Sequence, residues 1–142
     1  GIANCGIPLA TAVSQEMGLP LAPSRKGNAI PGSWRKPLIV NESVASFTTG
    51  TASQFVFNSV DSSDHVLLID DYCAFGITGR ALAKAFLEKG VNVSFAFYVA
   101  KTFQGGIKEI EKLGVPTFYV VGIKEFSGDQ SAAKIILEPP HF

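Results

Sequence analysis

The sequence predicts an α/β fold, a mainly parallel twisted sheet with helices on both faces plus a projecting, flexible β-hairpin. Three observations lead there. Strongly apolar runs at 66–69, 91–100 and 115–121 read as buried strands. Helix-compatible stretches at 78–88 and 106–113, each stopped by a glycine at Gly90 or Gly114, alternate with them. Two stretches rich in Val, Phe and Ile, 38–47 and 54–60, flank Thr48, Thr49, Gly50 and Thr51, the pattern of a hairpin with a mobile tip. Strands with little polar character alternating with helices must be covered on both faces, which favours parallel pairing with ligands bound beyond the carboxyl ends of the strands.

The remaining elements follow in order. Residues 6–9 lead into a helix over 10–17 that Gly18 stops, and 19–22 reads as a short buried strand between Pro20 and Pro23. Residues 24–37 hold Gly27, Pro31, Gly32 and Pro37 among Arg25, Lys26, Arg35 and Lys36, so no period survives and an exposed basic loop is expected. The run 65–70 is a strand ended by carboxylates, and the helix over 78–88 carries Ala81, Leu82, Ala85 and Phe86 at helical spacing. Residues 134–137 form a last edge strand, and no internal repeat is found.

A chain of 142 residues with 46% apolar and 17% charged side chains, 11 of them Phe, is one globular domain with a large core. Twelve basic against twelve acidic residues give no net charge, which argues against a nucleic-acid partner or an anionic membrane surface. No apolar run approaches the roughly 20 residues of a bilayer span. Cys5 and Cys73, with no neighbours at zinc-like spacing, indicate neither a disulfide framework nor a structural metal and suit a reducing cytoplasm. The opening at Gly1, without Met, signal-like core or basic leader, predicts a non-secreted chain lacking an N-terminal segment.

Chemistry concentrates in residues 65–79, where Asp70 and Asp71 close a buried strand and Ala74, Phe75, Gly76, Ile77 and Thr78 open a helix. A loop feeding a helix N-terminus offers unpaired N–H groups and a positive dipole end, a place for a phosphate monoester without Lys or Arg. Thr78 can cap that helix, and the two carboxylates can meet ribose hydroxyls or a hydrated Mg²⁺. The same two acids serve equally as turn-forming and capping residues. Lys101, ending the apolar strand 91–100, can donate to a carbonyl oxygen of a base or stand as a solvated strand-end charge. Phe103 can stack on a base or belong to the core, and Arg25 and Lys26 can face an anionic leaving group or solvent. Cys5 and Cys73 receive no role.

Four apolar residues, two acids, two apolar residues and a small-residue loop ending in Gly-Ile-Thr resemble the phosphoribosyl-pyrophosphate (PRPP) motif of the type I phosphoribosyltransferases. Phe75 and Ile77 depart from the commoner Thr and Gly, which shifts weight to backbone N–H groups. Residues 43–48, 51–54 and 100–106, the last reading Ala-Lys-Thr-Phe-Gln-Gly-Gly, are similar in order and spacing to the bacterial xanthine-using branch, and Gly6-Ile7 resembles its loop at the pyrophosphate. Ala3 stands where that first loop often has an acid. The resemblance implies PRPP held by residues 74–78, a purine held by Lys101, catalytic Asp70 and Asp71, Mg²⁺ as cofactor with no dedicated protein metal site, a hairpin at 43–54 that closes over the site, and a homodimer. It implies transfer to xanthine in purine salvage, with a transferase for another purine base or a purine- or PRPP-sensing transcriptional regulator of the same fold as the alternatives. Neutral charge and the lack of a helix-turn-helix argue against the regulator.

Overall fold

A computed structural model describes residues 1–27, 37–41, 54–58, 60–127 and 134–142. Helix α1 spans Gly6–Met17, followed by strands β1 (Ser24–Lys26), β2 (Leu38–Asn41), β3 (Gln54–Phe57) and β4 (His65–Cys73). Helix α2 (Ile77–Glu88), strand β5 (Asn92–Lys101), a 3₁₀ turn (Thr102–Gln104), helix α3 (Gly106–Glu111) and strands β6 (Thr117–Ser127) and β7 (Lys134–Glu138) complete the chain.

The central sheet has the order β4-β5-β6-β7, with the first three strands parallel and β7 antiparallel at the edge. Alternation along β4 sends its side chains to two layers. Leu68 enters a core with Leu82 and Phe86 of α2, Phe95 and Phe97 of β5, and Ile107 and Ile110 of α3. Leu67 and Ile69, from the opposite set, line a groove with Ala10 and Val13 of α1. Helices therefore cover both faces, as the apolar strands required. Among the described residues, no helix is long and apolar enough to cross a membrane.

A second sheet, β1-β3-β2, is antiparallel throughout. The base of the expected hairpin is here, and it is packed into the body: Phe55, Val56 and Phe57 are buried, and the Phe57 ring meets Phe86 edge-on at 5.1 Å. The hairpin tip expected around 48–51 lies outside the described residues.

Two sequence expectations fail in this region. Residues 19–22 form no strand, because Leu19 and Leu21 are exposed and the Leu19 N–H closes the helix end on Ser14 O at 3.0 Å. The strand comes later, at Ser24–Lys26, inside the segment expected to be a loop. Its anchor is Ser24, 1% exposed, whose Oγ accepts the Ala3 N–H at 2.6 Å. Three central elements also run longer than expected: α1 begins at Gly6, β4 continues to Cys73, and β6 continues to Ser127.

Candidate active site

Strand β4 does not end at the paired acids. Tyr72 and Cys73 continue it, opposite Val99 and Ala100 of β5, so Asp70 and Asp71 stand inside the ladder near its carboxyl end. The Asp71 N–H donates to Asp70 Oδ1 at 3.0 Å. Gly6, the first residue of α1, lies against the same acid: a Cβ there would be 2.5 Å from Ile69 O and 2.8 Å from Asp70 Oδ1. Packed in this way, Asp70 has its pKa pushed up to about 7, first by burial and then by a side-chain hydrogen bond with Asp71 and that residue's charge, while the Asp71 backbone N–H and the positive charge of Lys26 pull it down. Lys26 thus acts on the site from β1, and its ammonium lies 5.3 Å from the centroid of the Phe55 ring.

Beyond Cys73 the chain turns through Ala74 and Phe75 into Gly76, which takes the left-handed conformation (φ 71°) as the N-cap of α2. No side chain caps this helix; Thr78, expected in that role, is its second residue, and the Gly76 carbonyl accepts the Arg80 N–H at 2.8 Å. A glycine at this point lets the backbone turn sharply without a Cβ penalty and brings the positive end of α2 to the loop. The next loop touches it directly, since the Gly106 N–H at the start of α3 donates to Ala74 O at 3.1 Å.

Lys101 is the last residue of β5, adjacent in the sheet to the end of β4. Its ammonium lies 5.1 Å from the ring centroid of Tyr72 and 5.3 Å from that of Phe126, and Phe103 meets Phe126 edge-on at 5.6 Å. A cation held against two aromatic faces is confined in direction. The Thr102 hydroxyl donates to Ile123 O at 3.1 Å, which ties the start of the 3₁₀ turn to β6.

The structure therefore brings Asp70, Asp71, Ala74, Phe75, Gly76, Ile77, Thr78 and Lys101 to the carboxyl ends of two neighbouring parallel strands. Residues 43–53 of the expected closing hairpin lie outside the described residues. Tyr72 and Phe126 were not singled out from the sequence. For Tyr72 a signal existed, because it stands two residues beyond Asp70 and strand alternation puts both on one side. Phe126 belongs to a strand whose extension past residue 121 carried no apolar continuity.

Among the described residues, no group of three or more His, Cys, Asp and Glu comes together to hold a metal. Asp70 and Asp71, two adjacent carboxylates, would be the residues to hold a hydrated Mg²⁺.

No protein-family model matches the chain. A hypoxanthine/guanine phosphoribosyltransferase of Methanohalophilus mahii is 37% identical over 90 residues, covering 63% of this chain and 43% of the relative. A xanthine phosphoribosyltransferase of Streptococcus agalactiae is 32% identical over 124 residues, covering 85% of this chain and 63% of the relative. The chain thus spans less than two thirds of the length of either protein. Among solved structures, the APRTase of Giardia lamblia in complex with 9-deazaadenine superposes with a TM-score of 0.75 at 20% identity, over 88% of this chain and 68% of that one. At that identity the likeness is one of fold. Relatives aligned over 63% and 85% of the chain, together with a shared fold, lead to one conclusion: the chain belongs to the type I phosphoribosyltransferase family.

Proposed function

We propose that the chain transfers the 5-phosphoribosyl group of PRPP to N9 of xanthine, giving xanthosine monophosphate and pyrophosphate in purine salvage. The observation that carries this reading is the placement of Asp70, Asp71 and the loop 74–78 beside Lys101 across one pair of parallel strands.

In this reading the backbone of Ala74, Phe75, Gly76, Ile77 and Thr78, with the positive end of α2, holds the 5′-phosphate dianion. Asp70 and Asp71 accept from the ribose hydroxyls and stabilise the positive charge that grows at the anomeric carbon as its bond to pyrophosphate breaks. Arg25 and Lys26, consecutive on β1, meet the departing pyrophosphate, and the influence of Lys26 on Asp70 supports that placement. Mg²⁺, when bound, supplies charge neutralisation at that leaving group.

The Lys101 ammonium donates to a purine carbonyl oxygen and has no acceptor for an exocyclic amino group, so oxopurines are favoured over adenine. Tyr72, Phe103 and Phe126 offer aromatic faces beside it. Pairing into a cytoplasmic homodimer belongs to the same reading and is checked by sedimentation equilibrium.

A second reading, transfer to hypoxanthine or guanine, is favoured by the relative at 37% identity. The two are separated by supplying xanthine, hypoxanthine, guanine and adenine together with PRPP and Mg²⁺ and identifying the nucleotides by mass spectrometry. Xanthosine monophosphate in excess supports the first reading, and inosine or guanosine monophosphate the second. A lead for adenosine monophosphate contradicts the role of Lys101, and the absence of any nucleotide contradicts transfer itself.

A further inference from the structure

The phosphate-side loop and the base-side loop meet backbone against backbone through two glycines. A Cβ on Gly106 would collide with Ala74 O and would lie 2.5 Å from Gly76 N and 2.8 Å from Phe75 C. Reciprocally, a Cβ on Gly76 would lie 2.6 Å from Gly106 O and 2.9 Å from Gly106 Cα. Main-chain atoms cannot swing aside as the end of a side chain can, so these contacts require glycine on both sides. Deeper along the same seam, a Cβ on Gly79 would lie 2.5 Å from Ile110 Cδ1, so α2 and α3 are close beyond their first residues. The demand is local: Gly105, next in the chain, would place a Cβ in open space.

We infer that Gly106 is a positioning residue that joins the two half-sites, seating the base-side loop 101–106 on the phosphate-side loop 74–78 so that ordering one loop orders the other. The identity of the ligands rests on the function proposed above; the mechanical link between the loops does not. Its physical basis is shared ordering: a loop already fixed through its neighbour loses less freedom when its own ligand arrives. Couplings of this kind typically change affinity by about 5- to 150-fold.

The test compares the whole chain with Gly106→Ala and with Gly18→Ala, a control position that, unlike Gly106, is left-handed (φ 64°) and has nothing within 4 Å of its Cβ. Without ligand, Gly106→Ala is expected to shift the backbone amide resonances of residues 74–78, while Gly18→Ala leaves them in place. With ribose 5-phosphate as the probe, Gly106→Ala is expected to weaken binding by roughly tenfold or more. Unmoved 74–78 resonances in a folded Gly106→Ala chain overturn the inference. Moved resonances uphold it even where the unsubstituted chain ignores ribose 5-phosphate, a result that counts against the proposed function alone. For a Gly106→Ala chain that does not fold, hydrogen exchange in the unsubstituted protein decides. The Gly106 amide, bonded to Ala74 O, and the Arg80 amide, bonded to Gly76 O, should open together with one free energy. Independent opening overturns the inference.

Discussion

Gly6 lies directly against Asp70, close enough that a methyl group at residue 6 would sit 2.8 Å from the carboxylate oxygen Oδ1 and 2.5 Å from the carbonyl of Ile69. A residue at the start of the first helix thereby fixes an acid in the fourth strand. For Gly6→Ala, helix propensity alone predicts a gain of up to about 1 kcal/mol. Overpacking against backbone costs about 1–3 kcal/mol and is the larger effect. The variant is therefore expected to melt lower and, with Asp70 displaced, to bind PRPP roughly 100-fold more weakly. Thermal melting and calorimetry on the same samples check both parts.

Burial raises the Asp70 pKa from its ordinary carboxylate range to about 7, so between pH 4 and 7 the folded chain holds a proton at Asp70 that the unfolded chain has released. Stability accordingly falls as pH rises through that window, and the cost is fully present above pH 7. Asp70→Asn removes the cost. It is expected to stabilise the chain at pH 8 by about 1–2 kcal/mol, less than the full linkage value because the carboxylate keeps contact with water. At pH 4 the two proteins should differ little, and denaturant unfolding at the two pH values gives the comparison.

Lys101 is held between the rings of Tyr72 and Phe126. Replacing it by Gln retains a donor but loses the charge, and a hydrogen bond from a charged group is worth about 1.5–3 kcal/mol. Lys101→Gln should raise the KM for xanthine by roughly 10- to 100-fold. The KM for PRPP should stay nearly constant, because the proposed function places the phosphate on another loop. Steady-state kinetics with each substrate varied in turn separates the two.

Cys73 is 3% exposed and its thiol is pushed up to about 12 by burial and by the nearby Asp70, whereas Cys5 is exposed. A maleimide at neutral pH should label Cys5 in the native chain and reach Cys73 only after denaturation. Peptide mapping by mass spectrometry reads this directly, and rapid native labelling of Cys73 would contradict the packing of β4 against β5.

Much of this arrangement was legible in the residues alone. Leu68, Phe95 and Phe86 announced their strands and helix because burial on a regular element leaves a periodic trace, and Asp70 and Asp71 stood out as acids closing such a run. The strand at Ser24–Lys26 left no trace, since three residues with two exposed cations have no period and their anchor is one buried hydroxyl. Leu19 and Leu21 gave the opposite error, apolar residues that the fold leaves at the surface. Thr78 looked like the cap of α2 because threonine commonly is one, whereas the helix starts from the left-handed Gly76. The contacts of Gly6 with Asp70 and of Gly106 with Gly76 join residues far apart in the chain, and nothing local to either partner encodes them.

In the proposed function Asp70, Asp71 and the loop 74–78 together hold a phosphorylated ribose. The decisive experiment is calorimetric titration with PRPP and Mg²⁺ on the unsubstituted chain and on the Asp70→Asn, Asp71→Asn double variant. Saturable binding of one PRPP per chain, lost in the double variant, is expected. No heat from the unsubstituted chain, or equal affinity in the variant, would rule that site out.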